Sequence, residues 1–404
     1  MPSVLFYYDI VCPYAYIASQ RVTALADAAG VEVEWRPVLL GGIYKSIAAP
    51  QVPSSSWASA RADRISEDLR RQAALHGVPM SPPAAHPQRT VAAMRLLVGS
   101  PPDRRVALTH ALYRAYWVEG RDLTDPTVLS ALAREHGVDP EVMTSAEARA
   151  GLYASTAEAV SRGAFGVPTF CLGERLWWGQ DRLHMVMAAA GAAAATGQDA
   201  LPAAAGPSPV EAVTFFHDFS SPFSYLASTQ LPALAERYGV TVRWRPILLG
   251  ALFRSIGTPN VPMLAVTEAK RRYYLRDLQD WARWWGVPFR FPSVFPVRTV
   301  LPLRVALLEP RATAPLYQAL WAEDRDIGQP EVVRAVLSAA GLDPGLVEQT
   351  QQPAVKARLK ENTAAAEAAG ACGVPTLQLG EQLVWGQDRL PMLAEVLSGR
   401  FSLP

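Results

Sequence analysis

The chain has 404 residues, with 38 Lys and Arg against 37 Asp and Glu, so its formal charge is +1. That length suits two to three domains, and a composition half hydrophobic and 19% charged excludes a largely disordered chain. The charge balance offers no field for a phosphate backbone, so nucleic acid is not an expected partner. No apolar run reaches the ~18 residues that span a bilayer, so no membrane contact is expected. The opening Met1-Pro2-Ser3-Val4-Leu5-Phe6 lacks the basic start of a secretory signal. Cys12, Cys171 and Cys372 are too scattered for a disulfide framework or a metal cluster, which favours a reducing cytoplasm.

In chain order, Val4–Tyr8 reads as a buried strand, and Cys12-Pro13 then opens an Ala- and Leu-rich helix with proline at a tolerated first position. Val31–Arg36 alternates as a second strand. A helix-rich stretch follows over about 54–162, punctuated by Gly-Val-Pro and Asp-Pro. Gly166-Val167-Pro168-Thr169 leads into a hairpin through Gly173-Glu174, and Gln180-Asp181-Arg182 opens a last helix.

The same order then repeats. Asp9-Ile10-Val11-Cys12-Pro13 returns 209 residues later as Asp218-Phe219-Ser220-Ser221-Pro222, and Ser3–Pro53 aligned with Ala212–Pro262 gives 24 identities in 51 positions. Val213–His217 and Val240–Arg245 repeat the strands, and a second helical stretch covers about 263–369. Trp178-Gly179-Gln180-Asp181-Arg182-Leu183 matches Trp385-Gly386-Gln387-Asp388-Arg389-Leu390 residue for residue. A period near 200 residues means duplicated domains rather than a solenoid. The reading is α/β: a domain over 1–192, an Ala-, Pro- and Gly-rich linker over 193–211, and a domain over 212–404, each with a helical insertion.

Asp-x-x-Ser-Pro-x-Ser-Tyr-Leu-Ala near the start of the second copy, Gly-Val-Pro-Thr late and Trp-Gly-Gln-Asp-Arg-Leu after it resemble 2-hydroxychromene-2-carboxylate isomerases. These group with kappa-class glutathione transferases in the DsbA-like branch of the thioredoxin fold. The second copy adds Leu248-Leu249-Gly250, Asn260-Val261-Pro262, Lys270 with Tyr273, and Phe295-Pro296-Val297-Arg298-Thr299. The resemblance implies two thioredoxin-like domains fused as an intrachain pseudo-dimer, monomeric as a chain. It also implies glutathione as cofactor and a small aromatic substrate.

A lone serine hydroxyl needs a base to attack, and only His217 is nearby in sequence, so Ser221 does not read as a hydrolase nucleophile. At a helix N-terminus it can instead donate to a bound thiolate. The alternative is a plain Ser-Pro cap. Cys12 holds the same place in the first copy, where a helix N-terminus can pull a thiol toward or below ~7. It reads as a one-thiol nucleophile, a mixed-disulfide site or a neutral replacement, since Ala15 leaves no Cys-x-x-Cys pair. Cys171 and Cys372 read as small buried residues.

Val167-Pro168 and Val374-Pro375 resemble the cis-proline that presents backbone groups to an extended peptide. Gln180-Asp181 and Gln387-Asp388 suit the amino and carboxylate groups of a γ-glutamyl end, or simple capping. By the resemblance, Asn260 lies near the thiol, and Lys270, Asn260 and Arg298 steer a substrate carboxylate; Gln51, Arg61 and Arg64 stand in the first copy for Asn260, Lys270 and Tyr273. The expected activity is glutathione-dependent isomerisation of an aromatic-degradation intermediate by reversible thiolate addition. A kappa-like transferase or peroxidase, a disulfide oxidoreductase using Cys12, and a non-catalytic scaffold are the alternatives.

Overall fold

The computed structural model describes residues 3–51, 58–193 and 195–404, so the expected start of the first insertion at 54 lies outside the described residues. In the first copy the order is β1 (Ser3–Tyr8), α1 (Pro13–Ser19), α2 (Val22–Ala29), β2 (Glu32–Pro37) and α3 (Leu40–Ser46). Its insertion holds α4 (Ser59–Leu75), α5 (Val91–Gly99), α6 (Pro102–Trp117), α7 (Pro126–Glu135) and α8 (Ala146–Ser161). The hairpin β3 (Thr169–Leu172) and β4 (Arg175–Trp178) and the helix α9 (Leu183–Ala189) complete it.

The second copy repeats this as β5 (Ala212–His217), α10 (Pro222–Tyr238), β6 (Thr241–Pro246) and α11 (Leu249–Ser255). Then come α12 (Glu268–Trp285), α13 (Val300–Leu308), α14 (Thr313–Trp321), α15 (Pro330–Ala339), α16 (Leu346–Gln349) and α17 (Pro353–Ala368). The hairpin β7 (Thr376–Leu379) and β8 (Gln382–Trp385) and the helix α18 (Leu390–Leu397) close the chain. One difference is local: the first helix is broken into α1 and α2 around Gln20 and Arg21, whereas α10 runs unbroken through Pro232.

Each copy has a mixed four-stranded sheet, in the orders β2-β1-β3-β4 and β6-β5-β7-β8. The central strand pairs in parallel with its neighbour (Phe6 opposite Trp35, Phe215 opposite Trp244) and antiparallel with the late hairpin (Phe6 opposite Phe170, Phe215 opposite Leu377). A parallel pair needs a crossover, which α1–α2 and α10 supply. Central strands covered on both faces read as apolar runs, which is why Val4–Tyr8 and Val213–His217 do not alternate.

The chain divides into two compact units. One takes in Met1–Ser55, Leu69–Ala194 and Thr267–Tyr273; the other takes in Ser56–Asp68, Ala195–Val266 and Tyr274–Pro404. In the first, Phe6 stacks on Phe170 with centroids 5.0 Å apart and meets Trp35 edge-on. In the second, Phe215 stacks on His217 and meets Trp244 edge-on. From Ala195 on, the segment read as a linker belongs to the second unit: Leu201 is buried, and Tyr238 donates to the Pro202 carbonyl at 2.6 Å. Among the described residues no helix is long and apolar enough to cross a membrane.

Candidate functional site

The strand-to-helix turn after each central strand carries Ser221 and Cys12. Ser221 is the N-cap of the 17-residue α10; its Oγ accepts from the Ser224 N–H at 3.2 Å and donates to the Val374 carbonyl at 3.1 Å. Cys12 caps α1 without accepting such a bond, and its thiol donates to the Val167 carbonyl, also at 3.1 Å. Side chain and proline loop therefore meet in the same way in both copies. The Val167-Pro168 and Val374-Pro375 bonds are cis. The carbonyl expected to face an incoming peptide is instead engaged by Ser221 or Cys12, because a buried donor must find an acceptor.

Under each turn lies a carboxylate. Asp218, 1% exposed, accepts from the Ser220 N–H at 2.9 Å, from the Leu249 N–H at 2.8 Å and from the Thr299 hydroxyl. Asp9 accepts from the Val11 N–H, the Leu40 N–H and the Thr90 hydroxyl, at 3.2, 2.8 and 2.8 Å. Burial pushes both carboxyls up and the donated hydrogen bonds pull them back, with burial the larger effect. The insertion reaches the same turns: the indole N–H groups of Trp117 and Trp321 donate to the carbonyls of Ile10 and Phe219, each at 2.8 Å. Both tryptophans are thus buried anchors.

The Leu-Leu-Gly motif has a steric reason. A Cβ on Gly250 would lie 2.9 Å from Asn260 Oδ1, and one on Gly41 would lie 3.0 Å from Gln51 Oε1. Gly373 similarly leaves room for the Trp385 indole. At the closing turn, Gly386 has φ +106°, and a Cβ there would strike Asp388 Oδ1 at 2.5 Å. That turn lets Asp388 fold back.

The two glutamines are structural in their side chains. Gln387, 1% exposed, accepts from the Trp285 indole N–H at 2.8 Å. Gln180 donates to Gln72 at 2.8 Å and is held by Arg21. Asp181 pairs with Arg182 at 2.7 Å. Asp388 lies 3.5 Å from Arg389, whose guanidinium makes a two-pronged pair with Asp68 at 2.6 and 2.8 Å. The aspartates of these turns are thus engaged in ion pairs, and neither turn carries a side-chain cap bond; the carboxylates of Asp181 and Asp388, unlike the buried amides, are partly exposed.

Lys270 and Tyr273 fall in the unit that holds Cys12, whereas Asn260 falls in the unit that holds Ser221. The Lys270 ammonium lies 4.9 Å from the centre of the Trp178 ring and 5.8 Å from that of Phe165. Aromatic faces attract a cation, which accounts for the placement. The Tyr273 hydroxyl accepts from the Trp178 N–H at 3.1 Å and lies 3.2 Å from its carbonyl, to which it donates. In the Ser221 unit, burial pushes the Cys372 thiol up, and the charges of Arg61 and Arg64 draw it only part of the way back.

A family model for the DSBA-like thioredoxin domain matches residues 3–190 and again residues 212–398. The chain belongs to the DSBA-like thioredoxin family. It is similar to the 2-hydroxychromene-2-carboxylate isomerase of Pseudomonas putida, 34% identical over 190 residues that span 46% of this chain and 93% of that protein. It is also similar to human glutathione S-transferase kappa 1, 26% identical over 220 residues, 49% of this chain and 96% of that one. A solved 2-hydroxychromene-2-carboxylate isomerase aligns with 47% of this chain and 94% of its own, at 27% identity and a TM-score of 0.41.

In these DSBA-like domains the thiol chemistry departs from one expectation. Cys12 is 7% exposed, and burial pushes its thiol up to about 12, outweighing the N–H groups of Tyr14 and Ala15 that draw it down. The helix end is too weak to offset lost hydration, so Cys12 stands as a neutral donor, not a thiolate. His217 is no base for Ser221. Burial pushes it down to about 3, and its Nδ1 lies 3.0 Å from the Tyr317 hydroxyl. Cys171 and Cys372 are buried free thiols, as small core residues should be. Among the described residues no group of three or more His, Cys, Asp or Glu is placed to hold a metal ion.

The residues that sequence reasoning passed over are Asp9 and Asp218 with Thr90 and Thr299. Their signal was present: an aspartate three residues before the capping position and an Arg-Thr pair recur in both copies.

Proposed function

We propose that the chain is a glutathione-dependent isomerase of the 2-hydroxychromene-2-carboxylate type, acting on an aromatic-degradation intermediate at the Ser221 turn. One observation carries this reading. Ser221 caps a long helix with a hydroxyl whose proton rests on a neighbouring carbonyl, and His217, buried and bonded to Tyr317, does not serve it as a base. That donor set fits a sulfur anion brought by a ligand. The likeness to an isomerase and to a kappa-class glutathione transferase supports the same choice.

Glutathione supplies, when bound, a thiolate that adds reversibly to a conjugated double bond and so permits rotation about it. The chain's residues do the rest. Ser221 swings its O–H from Val374 toward the sulfur while the Ser224 N–H holds its oxygen. The positive end of α10 favours negative charge at that point. Val374 and Pro375 fix the opposing loop, and Gln387 fixes the turn that presents Asp388 to an amino group. Asn260, seated against Gly250, directs its amide to the substrate. Val167, Pro168, Gln180 and Asp181 build the same frame in the first domain, with Cys12 as a thiol donor and Lys270 beside Trp178 as its cation. The free thiols suit a reducing cytoplasm.

The test is turnover of 2-hydroxychromene-2-carboxylate by purified protein with and without glutathione. Equal rates would remove the thiol role. A kappa-like transferase reaction uses the same donor; conversion of a chloronitroaromatic with no isomerase activity selects it.

A further inference from the structure

Three segments far apart in sequence meet on one side chain. The Asp218 carboxylate receives the Ser220 N–H beside Ser221, the Leu249 N–H that begins α11, and the Thr299 hydroxyl that precedes α13. Its own backbone carbonyl accepts the Ser221 N–H at 3.1 Å. Leu249 adjoins Gly250, against which Asn260 is seated. All the partners are donors, which suits an ionised acceptor. The first copy keeps the arrangement on Asp9 although the residue it supports has become Cys12.

We propose that Asp218 is a positioning residue for the thiol site, a buried carboxylate that sets the Ser221 hydroxyl and the Asn260 seat relative to each other through Ser220, Leu249 and Thr299. Asparagine has the same shape but turns an NH2 toward at least one of these donors, so the network breaks without a large change in volume. Thr299→Val removes one donor and keeps the carboxyl group, and Thr299→Ser restores the hydroxyl. The inference rests on the reading that Ser221 receives the sulfur of glutathione.

Calorimetry with glutathione on the full chain tests it, taking as the signal the binding step lost in Ser221→Ala. Asp218→Asn and Thr299→Val are expected to weaken that step about tenfold, the size of one lost buried hydrogen bond. Thr299→Ser is expected to bind within about twofold of wild type. Thr299→Val keeps the test open should Asp218→Asn fail to fold. A Ser221-dependent step untouched by Thr299→Val, or equally weakened by Thr299→Ser, overturns the inference alone. A wild-type protein with no Ser221-dependent step overturns the glutathione reading, and this inference with it.

Discussion

The hydroxyl of Ser221 rests on the carbonyl of Val374, 3.1 Å away, on a loop 153 residues further along the chain. A sulfur anion is a stronger acceptor than that carbonyl, since hydrogen bonds to charged groups are about twice as strong as neutral ones. Ser221→Ala is therefore expected to lower glutathione-dependent turnover by about tenfold to a hundredfold, while Cys12→Ala leaves it near wild type. Steady-state rates of the two variants check the ranking, and the reverse order would move the competent site to the first domain.

The buried thiols make an alkaline prediction. Cys12, Cys171 and Cys372 are each pushed up to about 12 from an ordinary value of 9.0 by burial. The unfolded chain releases these protons above that ordinary value while the folded chain keeps them, so stability is complete below pH 9.0 and declines as pH rises toward about 12. Denaturation midpoints measured across this range should fall, and less steeply in Cys171→Ala. In the native protein at neutral pH, Cys12 should react with iodoacetamide far more slowly than after unfolding.

Gly386 is required twice over, by its φ of +106° and by the approach of Asp388. Gly386→Ala is expected to cost about 1–3 kcal/mol of stability, as a side chain forced into a glycine-only conformation does. Denaturant titration measures this, and a loss well under 1 kcal/mol would show that the turn relaxes freely.

Trp285→Phe keeps the ring packing but leaves Gln387 Oε1 without its 2.8 Å donor. An unsatisfied buried acceptor costs about 1–3 kcal/mol. The second domain should lose that much in denaturant, and Gln387→Leu in the same background should recover part of it.

Much of this was legible in the chain because the chain states it twice. The central strands, the late hairpins and the cis bonds at Pro168 and Pro375 lie where the repeated motifs put them. The role of Asp218 was not, because its partners Leu249 and Thr299 sit in motifs that are silent about each other until folded. Nor was the state of Cys12, since a helix end shows in sequence but burial does not. Lys270 was aligned with its own repeat, yet its ammonium lies over Phe165 and Trp178, and nothing local in sequence announces a contact with those rings.

The shared carboxylate frame also tells how the two halves have been free to drift. Asp9 and Asp218, Leu40 and Leu249, and Thr90 and Thr299 are the same residues in both, whereas Cys12 stands in the place of Ser221, Ala15 in that of Ser224 and Gln51 in that of Asn260. The frame is thus held constant while groups mounted on it differ, so one scaffold offers two different reactive faces.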